Sequence, residues 1–350
     1  MATTPRLADF VSSPETWVCD PDFVLFSAFS FATLRAMHLP PVSRRRFLAA
    51  SGTLALGSLL PAQEPTGYTG PIIDVHQHTN YSGRTNQQLI AHQQRMGITM
   101  TILLPAGRPV SRPSTHDGRS NGLAAQCGGN DTVFELARDH EDSLRFFANE
   151  VPDLPDARGE LEKFLKLGAR GIGEQKFNVA CDSAALQALA DLAMTYQVPI
   201  LMHFQHETYN TGIERFHTVL EKYPKVNFIG HAQTWWGNID KRHDQSVMYP
   251  KGEVTPGGIT DRLLSDYPNM FGDISAGSGL NSMLRDMDHA RGFLKRHQDK
   301  LLYGSDCNDI FGQGPGCQGS TTLATVRELA PEPAVQEKIL YGNAKKLLRL

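Results

Sequence analysis

The chain has 350 residues, with 34 basic against 37 acidic side chains and a formal net charge of −3, which gives no electrostatic case for nucleic acid or an anionic membrane as partner. With 40% hydrophobic residues it can bury one large core or two modest ones. Its five cysteines form no Cys-x-x-Cys pair, which excludes a zinc finger and a thioredoxin-type motif.

In chain order, the first signal is Ser43-Arg44-Arg45-Arg46-Phe47-Leu48, which resembles the twin-arginine export signal. A weakly apolar run from Ala49 to Leu60 follows, then Pro61-Ala62-Gln63 as a small-residue cleavage site. The run is too short to span a bilayer, so 37–62 reads as a removable signal peptide that leaves no membrane anchor. Export signals lie at the N-terminus, so translation is expected from Met37, with 1–36 an untranslated or disordered extension. The mature protein, a single domain over 70–350, is then expected in the periplasm or another extracytoplasmic space, delivered by the twin-arginine machinery.

From residue 70 onward short apolar runs alternate with amphipathic segments. Strands are predicted over 71–76, 98–104, 144–149, 170–176, 198–204, 225–230, 270–274 and 300–305. Helices are predicted over 86–96, 130–140, 157–167, 183–196, 212–223, 258–267, 283–297 and 331–348. Several strands are apolar at consecutive positions, as strands buried on both faces are. Eight strand–helix units in about 280 residues predict an α/β fold, a (β/α)₈ TIM barrel. An open doubly wound sheet is the runner-up, but no Gly-x-Gly-x-x-Gly follows the first strand. The longer loops 105–129, 231–257 and 306–322 follow strands and so fall on the C-terminal face, where barrels carry their sites. The first is rich in Gly, Ser, Arg and Asn, and the second holds Trp235-Trp236 and His243; both are candidate substrate walls or lids.

Chemistry collects at the C-terminal ends of these strands. The first delivers His76 and His78, two apart and therefore on one face, a half-site for Zn²⁺ or a similar cation. The fourth carries Glu174 and Lys176, the fifth ends in His203, the sixth runs into His231 and the eighth into Asp306. Each alone has an ordinary structural alternative: a hydrogen-bonded core histidine for His203, a strand terminus for His231, a helix cap for Asp306. Such residues at the ends of five strands, all at one rim, make a functional set.

His76-x-His78, an acidic residue or Lys on strand four, His203, His231 and Asp306 in Gly-Ser-Asp match the ligand order of the amidohydrolase superfamily. The phrases Ile-Asp-Val-His-Gln-His, Phe-Ile-Gly-His-Ala and Leu-Leu-Tyr-Gly-Ser-Asp-Cys look most like its amidohydrolase-related branch, which includes lactonases and metal-dependent decarboxylases of cyclic or aromatic acids. The resemblance implies one or two divalent ions, Zn²⁺ foremost. His76, His78 and Asp306 would hold one, with His203 sharing that site or forming a second with His231. Water on such an ion has its pKa lowered toward ~7, supplying hydroxide. Asp306 would ligate with one oxygen and act as general base with the other, while the ion or His231 polarises the carbonyl under attack. Family members bridge two ions with either a carbamylated Lys or a Glu. Glu174, which needs no modification, is favoured here, with Lys176 the alternative.

Further candidates are substrate contacts. His206 lies three residues beyond His203, Arg285 could bind a carboxylate bidentately, and Trp235 could form a wall. Asp273, inside strand seven, could orient a ligand histidine. Cys307 and Cys317 are spaced to permit a disulfide without requiring one. The expected activity is hydrolysis of an ester, lactone or amide of a small molecule. The alternatives are non-oxidative decarboxylation of a cyclic or aromatic acid, or a periplasmic binding barrel without turnover.

Overall fold

Eight strands, all parallel to their neighbours, alternate with helices along the chain in a computed structural model that describes residues 67–116, 119–123 and 126–350. The signal-peptide and start-site readings lie outside those residues. In order the elements are β1 Ile73–Gln77, α1 Asn86–Arg95, β2 Met100–Leu103, α2 Asn130–Asp139, β3 Leu144–Phe146, α3 Ala157–Lys166 and β4 Ile172–Gln175. Then come α4 Ala184–Tyr196, β5 Ile200–His203, α5 Phe216–Lys222, β6 Phe228–His231, α6 Gln233–Gly237, α7 Ile259–Asp266 and β7 Met270–Asp273. The chain finishes with α8 Ala276–Leu284, α9 Met287–Arg296, β8 Leu301–Leu302, α10 Gln318–Leu329, α11 Pro333–Glu337 and α12 Asn343–Leu348. Among the described residues no helix is long and apolar enough to cross a membrane.

The strands form two sheets, β1-β2-β3 and β4-β5-β6-β7-β8. Isolated backbone contacts, not ladders, cross the seams between them. Ala148 bridges Ile172 at one, and Val75 N donates to Tyr303 O at 3.1 Å at the other. Consecutive apolar residues serve two packing layers, as expected for strands buried on both faces. Ile72, Leu103, Phe146, Met202 and Phe228 join the large core formed with the helices. Ile73, Val75, Ile102, Leu201, Ile229 and Leu302 pack with Ala344, Leu347 and Leu348 of α12.

All eight expected strands are present. The helices depart from expectation in four places, the first being 331–348, where a wider turn over Lys338–Gly342 separates α11 from α12. The pattern over 283–297 is two helices, because Asp286 accepts from His289 N and caps α9, while α8 precedes it. Its sequence, Ala-Gly-Ser-Gly-Leu-Asn-Ser-Met-Leu, is too rich in Gly and Ser to announce a helix. The Thr-rich α10 begins inside the expected 306–322 loop, and α6 inside the expected 231–257 loop. Tertiary packing overrides the weak local propensity of both.

Candidate metal centre at the strand ends

β1 brings His76 to its end and leaves His78 one residue beyond, and their Nε2 atoms stand 3.2 Å apart. His78 Nδ1 donates to the Leu104 carbonyl at 2.8 Å, so the neutral ring keeps its lone pair on Nε2. His76 Nδ1 lies 2.7 Å from Asp273 Oδ2, the last residue of β7, which fixes the same tautomer. Two lone pairs therefore converge on one point, from nitrogens 3.2 Å apart. With metal–nitrogen bonds of about 2.05 Å, two tetrahedral ligand nitrogens stand about 3.3 Å apart. The donors fit a divalent metal.

Asp306 supplies a second indication. Its Oδ1 is buried without a hydrogen-bond partner, 3.5 Å from His78 Nε2 and 3.7 Å from His76 Nε2. A buried carboxylate oxygen with nothing to accept from is rare unless an ion or water belongs there. The residue itself holds a left-handed backbone, φ 43°, anchored by its N–H to His76 O at 2.9 Å. The carboxylate of Asp74 binds Ser305 N at 2.9 Å and Ser305 Oγ at 2.5 Å, tying β1 to the residue before Asp306.

Glu174 occupies the middle. Its Oε2 is 3.7 Å from Nε2 of both His76 and His78, and its Oε1 is 2.5 Å from His203 Nδ1 and 3.7 Å from His231 Nε2. The ladder is irregular between Ile172 and Gln175, where Gly173 adopts φ 135°. A Cβ at Gly173 would meet Leu201 O at 2.7 Å, so only glycine permits this turn of the chain into Glu174. His231 ends β6, and its Nδ1 faces Ser275 Oγ at 3.0 Å and Asp273 Oδ2 at 3.4 Å. Three donor triads result: His76, His78 and Glu174; His76, His231 and Asp306; Glu174, His203 and His231.

The electrostatics follow from three carboxylates buried among four imidazoles. Burial would raise Glu174, but His203 and His76 hold it well below the usual carboxylate range. Burial is likewise outweighed at Asp306 by His76 and His78, which push its pKa down. Against its own burial, Asp306 and Asp273 hold the pKa of His76 well above the ordinary imidazole value. Burial and the His76 charge push His231 down to about 4. Carboxylates buried among imidazoles favour positive charge at this site.

The cluster borders a cleft of about 320 Å³. Lys176 lies half-buried in its wall, with Nζ 5.7 Å from the centre of the Tyr209 ring. It is Glu174, not Lys176, that sits among the imidazoles. Tyr81, Gln233, Asn308 and Gln318 also line the cleft, and none of them was singled out from the sequence. Tyr81 packs edge-on against His78 at 5.3 Å, and the Asp306 charge together with burial raises its pKa well above that of a free phenol. An aromatic residue soon after the His-x-His pair was the available signal.

The three suggested substrate contacts stand elsewhere. Trp235 is fully buried, stacked on Phe204, with Gly230 pressed so close that a Cβ there would meet the indole at 2.4 Å. It is a core residue, because α6 turns it inward. Arg285 is held by Asp240 at 3.1 Å and by the carbonyls of Gly252 and Glu253, outside the cleft. His206 lies beside Glu207 on a separate surface depression. Among the described residues, the 105–129 loop adds none to the cleft lining; Arg108 ties it to Glu150 and Asp156. The thiols of Cys307 and Cys317 are 3.9 Å apart and unbonded.

Parallel α/β architecture with a histidine–carboxylate cluster at the strand ends defines a metal-dependent class of enzyme. The profile of the amidohydrolase family matches residues 73–350, and the chain belongs to that family. It is an enzyme of the amidohydrolase type. No curated protein matches it. Among solved structures it is similar to 2,6-dihydroxybenzoate decarboxylase from Rhizobium, at 14% identity and TM-score 0.52, over 80% of this chain and 99% of that one. A probable 2-pyrone-4,6-dicarboxylic acid hydrolase from Acinetobacter baumannii follows, at 15% identity and TM-score 0.53, over 80% and 100%. 5-Carboxyvanillate decarboxylase from Sphingomonas paucimobilis is 11% identical with TM-score 0.52, over 80% and 99%. At such identities the likeness is one of fold, that of TIM-barrel amidohydrolase-like proteins.

Proposed function

We propose that this enzyme is an exported metal-dependent hydrolase with a (β/α)₈ barrel, cleaving an ester, lactone or amide bond of a small molecule. The observation that carries the reading is Glu174, set between the His76–His78 pair and the His203–His231 pair. A carboxylate between two imidazole pairs suits two ions, and a two-ion site suits attack by water on a carbonyl. Zn²⁺ matches the mixed nitrogen and oxygen donors. Bound by His76, His78 and Asp306, with Glu174, His203 and His231 alongside, the metal would supply Lewis-acid polarisation and a more acidic water. Asp306 accepts the proton of the attacking water and returns it to the leaving group. Asp273 and Ser275 hold the His76 and His231 rings by their Nδ1 atoms, so that both present Nε2 to the reacting centre. Export rests on the twin-arginine pattern at 43–48.

A second reading, decarboxylation, keeps the site and changes the chemistry. It is favoured by the Lys176 ammonium in the cleft wall, which could pair with a substrate carboxylate, and by the activity named for two of the fold relatives. Arg285, expected to serve that role, is engaged by Asp240 instead. The test is turnover of a panel of esters, lactones, amides and aromatic carboxylic acids by metal-loaded wild type and Asp306→Asn, with metal content measured on both. Hydrolysis predicts water-dependent cleavage lost in the variant while metal remains bound. Release of carbon dioxide without any hydrolysis would replace this reading by the second.

A further inference from the structure

A second donor cluster lies beside the loop that follows β8, and the chemistry above makes no use of it. Cys307 and Cys317 bracket that loop, with their sulfurs 3.9 Å apart. From α1, His92 places Nε2 3.4 Å from Cys317 Sγ, and Met96 places Sδ 3.7 Å from the same sulfur. His92 and Cys317 are 0% exposed and Cys307 is 3% exposed. One donor atom from each of His92, Cys307 and Cys317 lies within 4.8 Å of the other two.

These spacings can be set against the geometry of an ion. With bonds of about 2.3 Å to sulfur and 2.0–2.1 Å to nitrogen, a tetrahedral cation holds two sulfurs about 3.8 Å apart and sulfur and nitrogen about 3.6 Å apart. The observed edges, 3.9 Å and 3.4 Å, are those of such a tetrahedron. A disulfide needs its sulfurs at about 2.05 Å, so the pair is spaced for a shared ion and not for a bond. The surroundings are built to hold it. Arg84 Nη1 and Gln77 Nε2 donate to the Cys307 carbonyl at 2.7 Å and 3.1 Å, fixing that residue.

We propose that His92, Cys307 and Cys317 form a structural site for one soft divalent cation of the Zn²⁺ type. The site is separate from the strand-end centre and does not depend on the reaction assigned there. Binding converts two thiols to thiolates and releases their protons to solvent. The fourth position falls to Met96 Sδ or to Asp309 Oδ2, which stands 3.7 Å from His92 Nε2. Ligation through Nε2 puts the ring proton on Nδ1, which lies 3.3 Å from the Gln93 amide nitrogen. That nitrogen also donates to Asp74 Oδ2 at 3.1 Å while the amide oxygen accepts from Thr101 Oγ1, so the amide keeps its orientation and ion binding requires the His92 ring to shift away from it. The ion would tie α1 to the segment that begins with Asp306.

The test is a metal count on the purified full chain, stripped and then reloaded with Zn²⁺, for wild type and Cys317→Ser. Cys317 is the residue before α10, and its sulfur accepts from Ser320 N, a cap that serine makes well. The variant is therefore expected to fold. His92→Gln provides an independent second variant. Wild type should retain one more equivalent of zinc than either variant. Reloaded with Co²⁺, it should show thiolate-to-metal charge-transfer absorption that both variants lack. Equal zinc in all three proteins with no such band would overturn the proposal. A Cys307–Cys317 disulfide found by peptide mapping of the wild type would also overturn it.

Discussion

Asp306 and Cys307 are adjacent in the chain and belong to clusters of opposite character. The first joins imidazoles and carboxylates beside an open cleft of about 320 Å³. The second joins thiols and one imidazole, with sulfur from Met96 nearby and almost no exposure. Donors of borderline hardness beside a cleft leave room for water and substrate, as a catalytic site must, whereas a closed sulfur-rich site can only hold its ion. One residue step along a backbone turn thus separates chemistry from support.

The widest contrast is in turnover. Asp306→Asn removes the proposed base and should lower kcat by about 10³-fold, while Cys317→Ser should change it less than about twofold. A Cys317→Ser enzyme as inactive as Asp306→Asn would erase the distinction between the clusters. Next is metal affinity at the strand ends alone. Asp273→Asn takes the carboxylate from His76 Nδ1 and should weaken binding there by about 10–100-fold, with activity restored by added metal. Failure of added metal to restore it would give Asp273 another role.

A smaller effect separates cleft from core. Trp235→Phe should cost about 1–3 kcal/mol in a denaturant titration through lost packing and leave KM unchanged. A raised KM at full stability would return Trp235 to the substrate wall. Smallest is an acid-stability effect far from both clusters. Burial raises the Asp261 carboxyl, but His297 Nε2 at 2.5 Å and Arg296 bring it down to about 2. With a folded value below the unfolded value of about 3.9, Asp261 contributes its full stability above about pH 4 and loses it as the pH falls through the folded value. Asp261→Asn should flatten stability across that window by about 1 kcal/mol, and an unchanged acid limb would show the pairing is too exposed to matter.

How much was legible differs by element. The eight strands could be read because consecutive apolar residues such as Ile200-Leu201-Met202 are a local signature of burial on both faces. α8 and α10 could not, since their Gly, Ser and Thr content hides helices that only packing stabilises. Trp235 looked like a binding-site aromatic because a sequence does not say which way a short helix after β6 turns its side chains. Arg285 read as a candidate for a substrate carboxylate because its actual partner, Asp240, lies 45 residues away in the chain.

The sequence by itself determined which residue types arrive at the strand ends, because alternation and strand termination are local properties of the chain. It did not determine which ring nitrogen keeps its lone pair. That was decided by the Leu104 carbonyl at His78, by Asp273 at His76, and by the turn at Gly173 that sets Glu174 among the imidazoles. Hydrogen bonds and close backbone approaches between distant segments exist only after the sheets have assembled, so the protonation and aim of each donor belong to the tertiary structure.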